Sequence, residues 1–421
     1  MSLSPIQIRL LPNPRCFFDE QVHVKVDGLS PHQKVELKSM VKDDKGVIFK
    51  ASALYAADAT GQVDLCRSPS LGGSYTGVEP MGLFWSMTAQ TPHSKLVKRD
   101  VTDPMLVDIE VFDTDGQGPV LGTVTTERAF LGGGVRRTPV RGERIKGTLF
   151  TPPGPGPFPG VLDLPMMSRN ISEVRACLLA NKGFVVLAVA LFGYEDQPKK
   201  VKHLDLEYFE EAVKFLRGRP EVHGAGIGVL AISKSGDVAL SIASHLPGIS
   251  ATVAINGCNF SVHFPLHYKG TVISPSPLPV WDKITPTPCG PLNVREATSS
   301  DVNQASEIPI ERSGSPFLFA ASEDDGNWKS CLYAQRAVAR LRRHGRENVE
   351  VVTYPGAGHY LEVPYMPHCP SAIHPAVGKV VAFGGEAKPH HEAQLDLWRR
   401  IQEFFGKHLE GRHNIAEKSR L

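Results

Sequence analysis

At 421 residues the chain is longer than one ordinary hydrophobic core and shorter than four, which points to two domains. Hydrophobic residues make up 41% and charged residues 21%, the balance of a globular protein, and no stretch approaches the ~18 uncharged apolar residues of a membrane span. With 46 Lys and Arg against 44 Asp and Glu, the basic excess of a nucleic-acid binder is missing, so neither a nucleic acid nor a membrane span is expected.

The N-terminus, Met1 to Pro5, has neither the charged region nor the apolar run of a secretory signal. Alternating runs begin at Gln21 to Val26 and recur at Val35 to Leu37, Val63 to Leu65 and Val107 to Phe112, separated by turn residues such as Asp27-Gly28. They predict a β-sandwich over residues 1–134, ending at the glycine run Gly132-Gly133-Gly134, which suits neither helix nor strand.

Beyond it the texture changes. Strands are predicted at Gly160 to Leu164, Phe184 to Ala190 and Ile227 to Ile232, alternating with helices at Ile171 to Asn181 and Leu206 to Arg217. A second round follows, with strand Phe317 to Ala321, helix Lys329 to Arg343, strand Val349 to Tyr354 and a closing helix Ala393 to Leu409. Such alternation predicts a mostly parallel sheet with helices on both faces, an α/β domain over residues 135–412. On the Leu206 to Arg217 helix, Glu207, Glu210 and Glu211 fall outside the apolar stripe and read as a solvated face. Residues 413–421 read as a tail ending in Ser419-Arg420-Leu421, a variant of the Ser-Lys-Leu peroxisomal tripeptide. The expected residence is the peroxisome, with its import receptor as a partner and the cytosol as the alternative.

The strand ending at Ile232 runs into Ser233-Lys234-Ser235-Gly236 and then a helical pattern from Val238 to His245. This strand, sharp turn and helix are the elements of a nucleophile elbow, usually G-x-S-x-G, with Ala231 and Ser235 in the small-residue places around Ser233. Centring the motif on Ser235 puts Asp237 in the crowded slot, so Ser233 is the better nucleophile; the plainer reading is a helix N-cap. A serine needs a base, and the base needs a carboxylate, in the order Ser, Asp or Glu, His, at the C-terminal ends of strands. Glu323-Asp324-Asp325 follows one predicted strand and Gly358-His359-Tyr360 the next. Sequence chemistry alone leaves Asp324 and Asp325 equivalent.

Other candidates are weaker. Gly224 to Gly228 looks like a dinucleotide fingerprint but precedes a strand, so it reads as a loop. The seven cysteines form no CxxC pair; Cys258 and Cys331 read as core residues. His368, Cys369 and His374 lack metal-ligand spacing, and His390 and His391 read as surface groups or as supports of the site. No metal or cofactor is expected.

The chain resembles the family of type I acyl-CoA thioesterases and bile acid-CoA:amino acid N-acyltransferases over nearly its whole length. The resemblance is carried by Ser70 to Gly77, Glu79 to Trp85, Leu96 to Asp100, Asp205 to Ala212, Ile232-Ser233-Lys234, Asp324-Asp325 with Asn327 to Ser330, Gly358-His359-Tyr360 and Gly384-Gly385-Glu386. It implies an α/β-hydrolase fold behind an immunoglobulin-like all-β domain and an acyl-CoA substrate. It also implies the roles: Ser233 takes the acyl group, His359 serves as base and then acid, and Asp325 orients His359. The oxyanion would be held by the backbone N–H groups of Lys234 and Met166. Two departures stand out: Leu164 to Asn170 replaces a glycine-rich loop after Asp163, with Pro165 lacking an N–H, and Ser235 replaces a glycine. Serine at the nucleophile position implies water as acceptor, hence thioester hydrolysis. The alternatives are transfer to glycine or taurine, and a catalytically weakened lipid-binding protein.

Overall fold

In the computed structural model the described residues are 5–113, 118–167, 169–277, 279–297, 304–374 and 377–409. The Ser419 to Leu421 tripeptide and the whole 413–421 tail lie outside them. The chain forms two compact units, one of Met1–Gly132 with Glu362–Cys369, the other of Gly133–Leu361 with Pro370–Leu421. The first boundary falls beside the expected Gly134, and residues 362–369, read from sequence as part of the second domain, belong to the first unit.

The first unit is a pair of sheets. One has three strands; the other is built on Lys34–Lys42, Ile48–Ala56, Met105–Asp113 and Val120–Ala129. Strict alternation sets its inner face: Val35, Leu37, Ser39 and Val41 are buried on one strand, and Met105, Val107, Ile109 and Val111 on another. A short helix, Gly82–Trp85, interrupts the all-β pattern and buries Leu83, Phe84 and Trp85.

The second unit is organised by an eight-stranded sheet whose strands are β1 (Arg136–Arg141), β2 (Lys146–Thr151), β3 (Phe158–Leu164), β4 (Val185–Val189), β5 (Val222–Ile232), β6 (Ile249–Ile255), β7 (Phe317–Ser322) and β8 (Val349–Tyr354). Their spatial order is β1-β2-β4-β3-β5-β6-β7-β8. β2 runs antiparallel to both neighbours, and every pairing from β4 to β8 is parallel. Helices α1 (Val174–Asn181), α2 (Leu206–Arg217), α3 (Lys234–His245), α4 (Ser330–Arg343) and α5 (Ala387–Leu409) connect and cover these strands. Val229 packs in a cluster with Leu206, Phe209 and Val213 of α2 and Val238 and Ile242 of α3. Its neighbour Gly228 faces the other way, against Phe405 and Leu409 of α5. Both faces of the sheet are therefore covered, and its strands read as continuous apolar runs for that reason.

Two expectations change. Gly224 to Gly228 is not a loop but lies within β5, with Gly226 at a φ of 123° and a register shift between Ile227 and Gly228. Helix α5 starts at Ala387, six residues before the predicted Ala393, with Pro389 in its first turn, where a missing N–H costs no intrahelical bond. Among the described residues no helix is long and apolar enough to cross a membrane.

Candidate active site

The site grows from the C-terminal ends of β5, β6, β7 and β8. β5 ends at Ile232 and α3 begins at Lys234, so Ser233 makes the whole turn alone, at φ 61° and ψ −133°. Few non-glycine residues adopt that backbone, at a cost of about 1–3 kcal/mol. Its backbone N–H donates to Ile255 O (2.8 Å) on β6. Its hydroxyl makes no capping bond to the helix; instead Oγ lies 2.8 Å from His359 Nε2. The plain N-cap reading thus fails on geometry.

His359 Nδ1 lies 2.7 Å from Asp325 Oδ2. A carboxylate can only accept, so Nδ1 carries the proton and Nε2 is left to accept from Ser233. Asp325 is held on all sides: Oδ1 accepts from the N–H groups of Asn327 (2.7 Å) and Trp328 (3.1 Å), and the Ser330 hydroxyl donates to Oδ2. Asp324 points elsewhere, accepting from Gly356 N–H (2.7 Å) at an exposed position. The three residues are almost inaccessible, Ser233 at 8%, His359 at 1% and Asp325 at 0% exposure, so charge forming there is poorly screened.

Residues to which sequence reasoning assigned no settled role hold this chain of bonds. Asn256, just past β6, donates from Nδ2 to His359 O (2.9 Å) and Ser322 Oγ (3.1 Å), while its Oδ1 accepts from Ser322 N–H (2.7 Å). Trp328 donates from Nε1 to Asn256 O (2.7 Å) and stands edge-on to the His359 ring, 5.5 Å between centroids. His390 is buried and brackets His359: its Nδ1 accepts from Gly358 N–H and its Nε2 donates to Tyr360 O, both at 3.0 Å. It is a support, not a surface group. Gly384 and Gly385, quoted above only for a resemblance, have φ of 74° and 78°. A Cβ on Gly384 would fall 2.0 Å from Asp324 O, and one on Gly385 2.3 Å from Gly358 N, so only glycine lets this strap pass under both the acid and the base loops.

The first turn of α3 is pinned by a buried ion pair, Lys234 Nζ to Asp237 Oδ2 at 2.6 Å, with Val262 N–H donating to the same oxygen at 3.0 Å. Burial pushes the Asp237 carboxyl up to about 6, against the pull of Lys234. The backbone N–H of Lys234, at the first helical position, has no intrahelical acceptor and is available to an anion. One residue on from Ser235 the backbones approach closely: a Cβ on Gly236 would meet Gly257 Cα at 2.7 Å. Ser235 is fully buried and donates to Pro165 O at 2.5 Å. Met166 follows, just beyond β3.

His263, which sequence reasoning missed, and His374 lie close to the triad. Burial, then the Lys234 charge, lowers His263 to about 3; burial, then His359, lowers His374 to about 4. Both stay neutral at pH 7, which leaves His359 as the imidazole with a carboxylate at its back. His368 and Cys369 belong to the first unit and His374 to the second. Among the described residues, two trios of potential metal ligands do gather, His23 with Asp64 and Cys66, and His203 with Asp205 and His267. In the first, Lys25 and Arg67 already pair with Asp64. Cys258 packs with Phe260, Val262, Trp328 and Tyr333 as an ordinary core residue.

A mostly parallel sheet with this turn after β5, an acid loop after β7 and a histidine loop after β8 defines an α/β-hydrolase. Two family models match the chain: the acyl-CoA thioester hydrolase/BAAT N-terminal region over residues 19–142, and the BAAT/acyl-CoA thioester hydrolase C-terminal region over residues 204–411. The chain is 49% identical over 409 residues to acyl-coenzyme A thioesterase 2, mitochondrial, of Rattus norvegicus, covering 96% of this chain and 90% of that one. It is 48% identical over 416 residues to acyl-coenzyme A thioesterase 1 of the same species (98% and 99%) and 44% identical over 411 residues to the peroxisomal succinyl-coenzyme A thioesterase of Mus musculus (96% and 97%). The chain belongs to the acyl-CoA thioester hydrolase/BAAT family.

Proposed function

We propose that the protein hydrolyses fatty acyl-CoA to free fatty acid and coenzyme A through an acyl-Ser233 intermediate. The observation that carries this reading is the continuous hydrogen-bond chain Ser233–His359–Asp325 in a chain of this family. Ser233 Oγ attacks the thioester carbonyl and gives its proton to His359 Nε2, while Asp325 stabilises the imidazolium. The negative oxygen of the tetrahedral intermediate takes the N–H groups of Lys234 and Met166. Collapse breaks the C–S bond, and the departing thiolate takes the proton from His359. Water then attacks the acyl-serine, again losing a proton to His359; collapse of this second intermediate breaks the bond between the acyl carbon and Ser233 Oγ, which takes the proton back from His359, and the carboxylic acid leaves.

The test is release of free thiol from a panel of acyl-CoAs, monocarboxylic and dicarboxylic, with and without glycine or taurine. Free acid is expected whatever amine is added. Amide conjugates would make the protein an N-acyltransferase, and no turnover on any member would leave a weakened, lipid-binding relative.

We infer residence in peroxisomes from Ser419-Arg420-Leu421 and from the relative named peroxisomal, other relatives being named mitochondrial. A reporter carrying the last ten residues is expected to enter peroxisomes; a reporter that stays in the cytosol overturns this.

A further inference from the structure

The loop after β3 has a proline where an oxyanion loop would profit from flexible, N–H-bearing residues, and the structure contains a device that answers the difficulty. Two consecutive carbonyls, of the last residue of β3 and the first of this loop, are gripped by buried side chains. Arg175, 5% exposed and paired with buried Asp163, donates from Nη2 to Leu164 O at 2.8 Å. Ser235, 0% exposed, donates from Oγ to Pro165 O at 2.5 Å. The second contact matters more. Pro165 O and the Met166 N–H belong to one peptide unit, which is planar with the two groups pointing in opposite directions. Fixing the carbonyl fixes the direction of the N–H.

Ser235 stands two residues after Ser233 on the same helix. Its reach is unlike that of the other serines of α3, which turn back on their own helix: Ser241 donates to Asp237 O (2.8 Å) and Ser244 to Leu240 O (2.6 Å). We propose that Ser235 is a positioning residue that clamps the Pro165–Met166 peptide to α3, so that the nucleophile, the Lys234 N–H and the Met166 N–H are held as one rigid group. A hydrogen bond on the carbonyl also polarises the amide and makes its N–H a better donor in a low-dielectric site. Pro165 adds rigidity of its own, because its fixed φ removes one torsion from the same segment. The proposal rests on the acyl-serine reading above, since an aimed N–H has value only where an oxyanion forms.

The experiment compares the full-length protein with Ser235→Ala and Ser235→Gly, both smaller than serine and so free of steric objection in the buried slot. Four quantities are read: kcat, KM, the affinity for a trifluoromethyl-ketone analogue of acyl-CoA that forms a tetrahedral adduct on Ser233, and the affinity for an unreactive thioether analogue. Losing one oxyanion donor outright costs about 10²–10³ in rate, so loosening one is expected to cost about 10-fold. That loss is expected in kcat and, by the same factor, in trifluoromethyl-ketone affinity, with KM and thioether affinity unchanged. Ser235→Cys, whose thiol still donates weakly, is expected to fall between alanine and serine. An unchanged kcat, or a loss shared equally by the thioether analogue, overturns the clamp. Ser233→Ala, run beside them, separates the two ideas: if it is inert while Ser235→Ala is fully active, only the clamp fails, and if it keeps turning over, the acyl-serine reading itself fails.

Discussion

Ser233→Ala is expected to lower acyl-CoA thiol release by about 10⁴–10⁶-fold, the range over which removing a triad nucleophile acts when the base and oxyanion donors remain. The fold should survive, because among the described residues the hydroxyl's one partner is His359 Nε2, and no capping bond is lost. Stability supplies a second reading of the same position. Ser233 sits at φ 61° and ψ −133°, where a Cβ is strained and glycine is not. Ser233→Gly is therefore expected to be more stable than Ser233→Ala by about 1 kcal/mol or more, the reverse of the usual order, measured by urea unfolding of both variants. Equal stabilities would mean the turn carries no strain. A rate above about one-hundredth of the parent's in Ser233→Ala would move the nucleophile elsewhere, although Ser235, two residues on, already gives its hydroxyl to Pro165 O.

The clearest signals in the second unit came from strands buried on both faces and from striped helices. β3, β4 and the end of β5 announce themselves as apolar runs because the sheet is covered on both sides, and α2 and α4 by their stripes. β1 escaped because this edge strand carries three arginines and one buried residue, Val140, and so shows no apolar run; β2 beside it, though largely buried, was missed as well. In the first unit, Ile48–Ala56 was missed although Phe49, Ala51, Ala53 and Tyr55 alternate inward, since two alanines give a faint hydrophobic signal. Ser233 and His359 were legible because each sits alone at a strand end in the required order. Asn256 was not, the Gly384-Gly385 strap had no assigned role, and His390 was left between a surface group and a support, because their work is to close loops far apart in sequence onto one another: Asn256 reaches His359 across 103 residues. No local pattern records such a partnership. Ser235 was read as a small residue that merely fits, when its hydroxyl has a partner of its own in Pro165 O.

The choice between Asp324 and Asp325 is where geometry adds most to sequence, and it leads to a sharp kinetic contrast. Asp325 Oδ1 accepts two backbone N–H groups, from Asn327 and Trp328, that can do nothing but donate. In Asp325→Asn the amide oxygen must therefore occupy that place, and the amide NH₂ is forced toward His359. His359 must then offer Nδ1 as an acceptor and carry its proton on Nε2, the atom 2.8 Å from Ser233 Oγ, where it can no longer receive the serine proton. The side chain keeps its shape while the base acquires the wrong tautomer, so kcat is expected to fall by about 10⁴ with little change in KM or unfolding midpoint. Asp324→Asn keeps an oxygen for Gly356 N–H at an exposed site and touches neither His359 nor Ser233, so it is expected to stay within about 3-fold of the parent. The checks are steady-state thiol release for both variants and the imidazole nitrogen spectrum of ¹⁵N-histidine protein, in which the His359 proton should move from Nδ1 to Nε2 only in Asp325→Asn. If the larger loss falls on Asp324 instead, the hydrogen-bond pattern around Asp325 is structural, and the carboxylate that serves His359 is its neighbour.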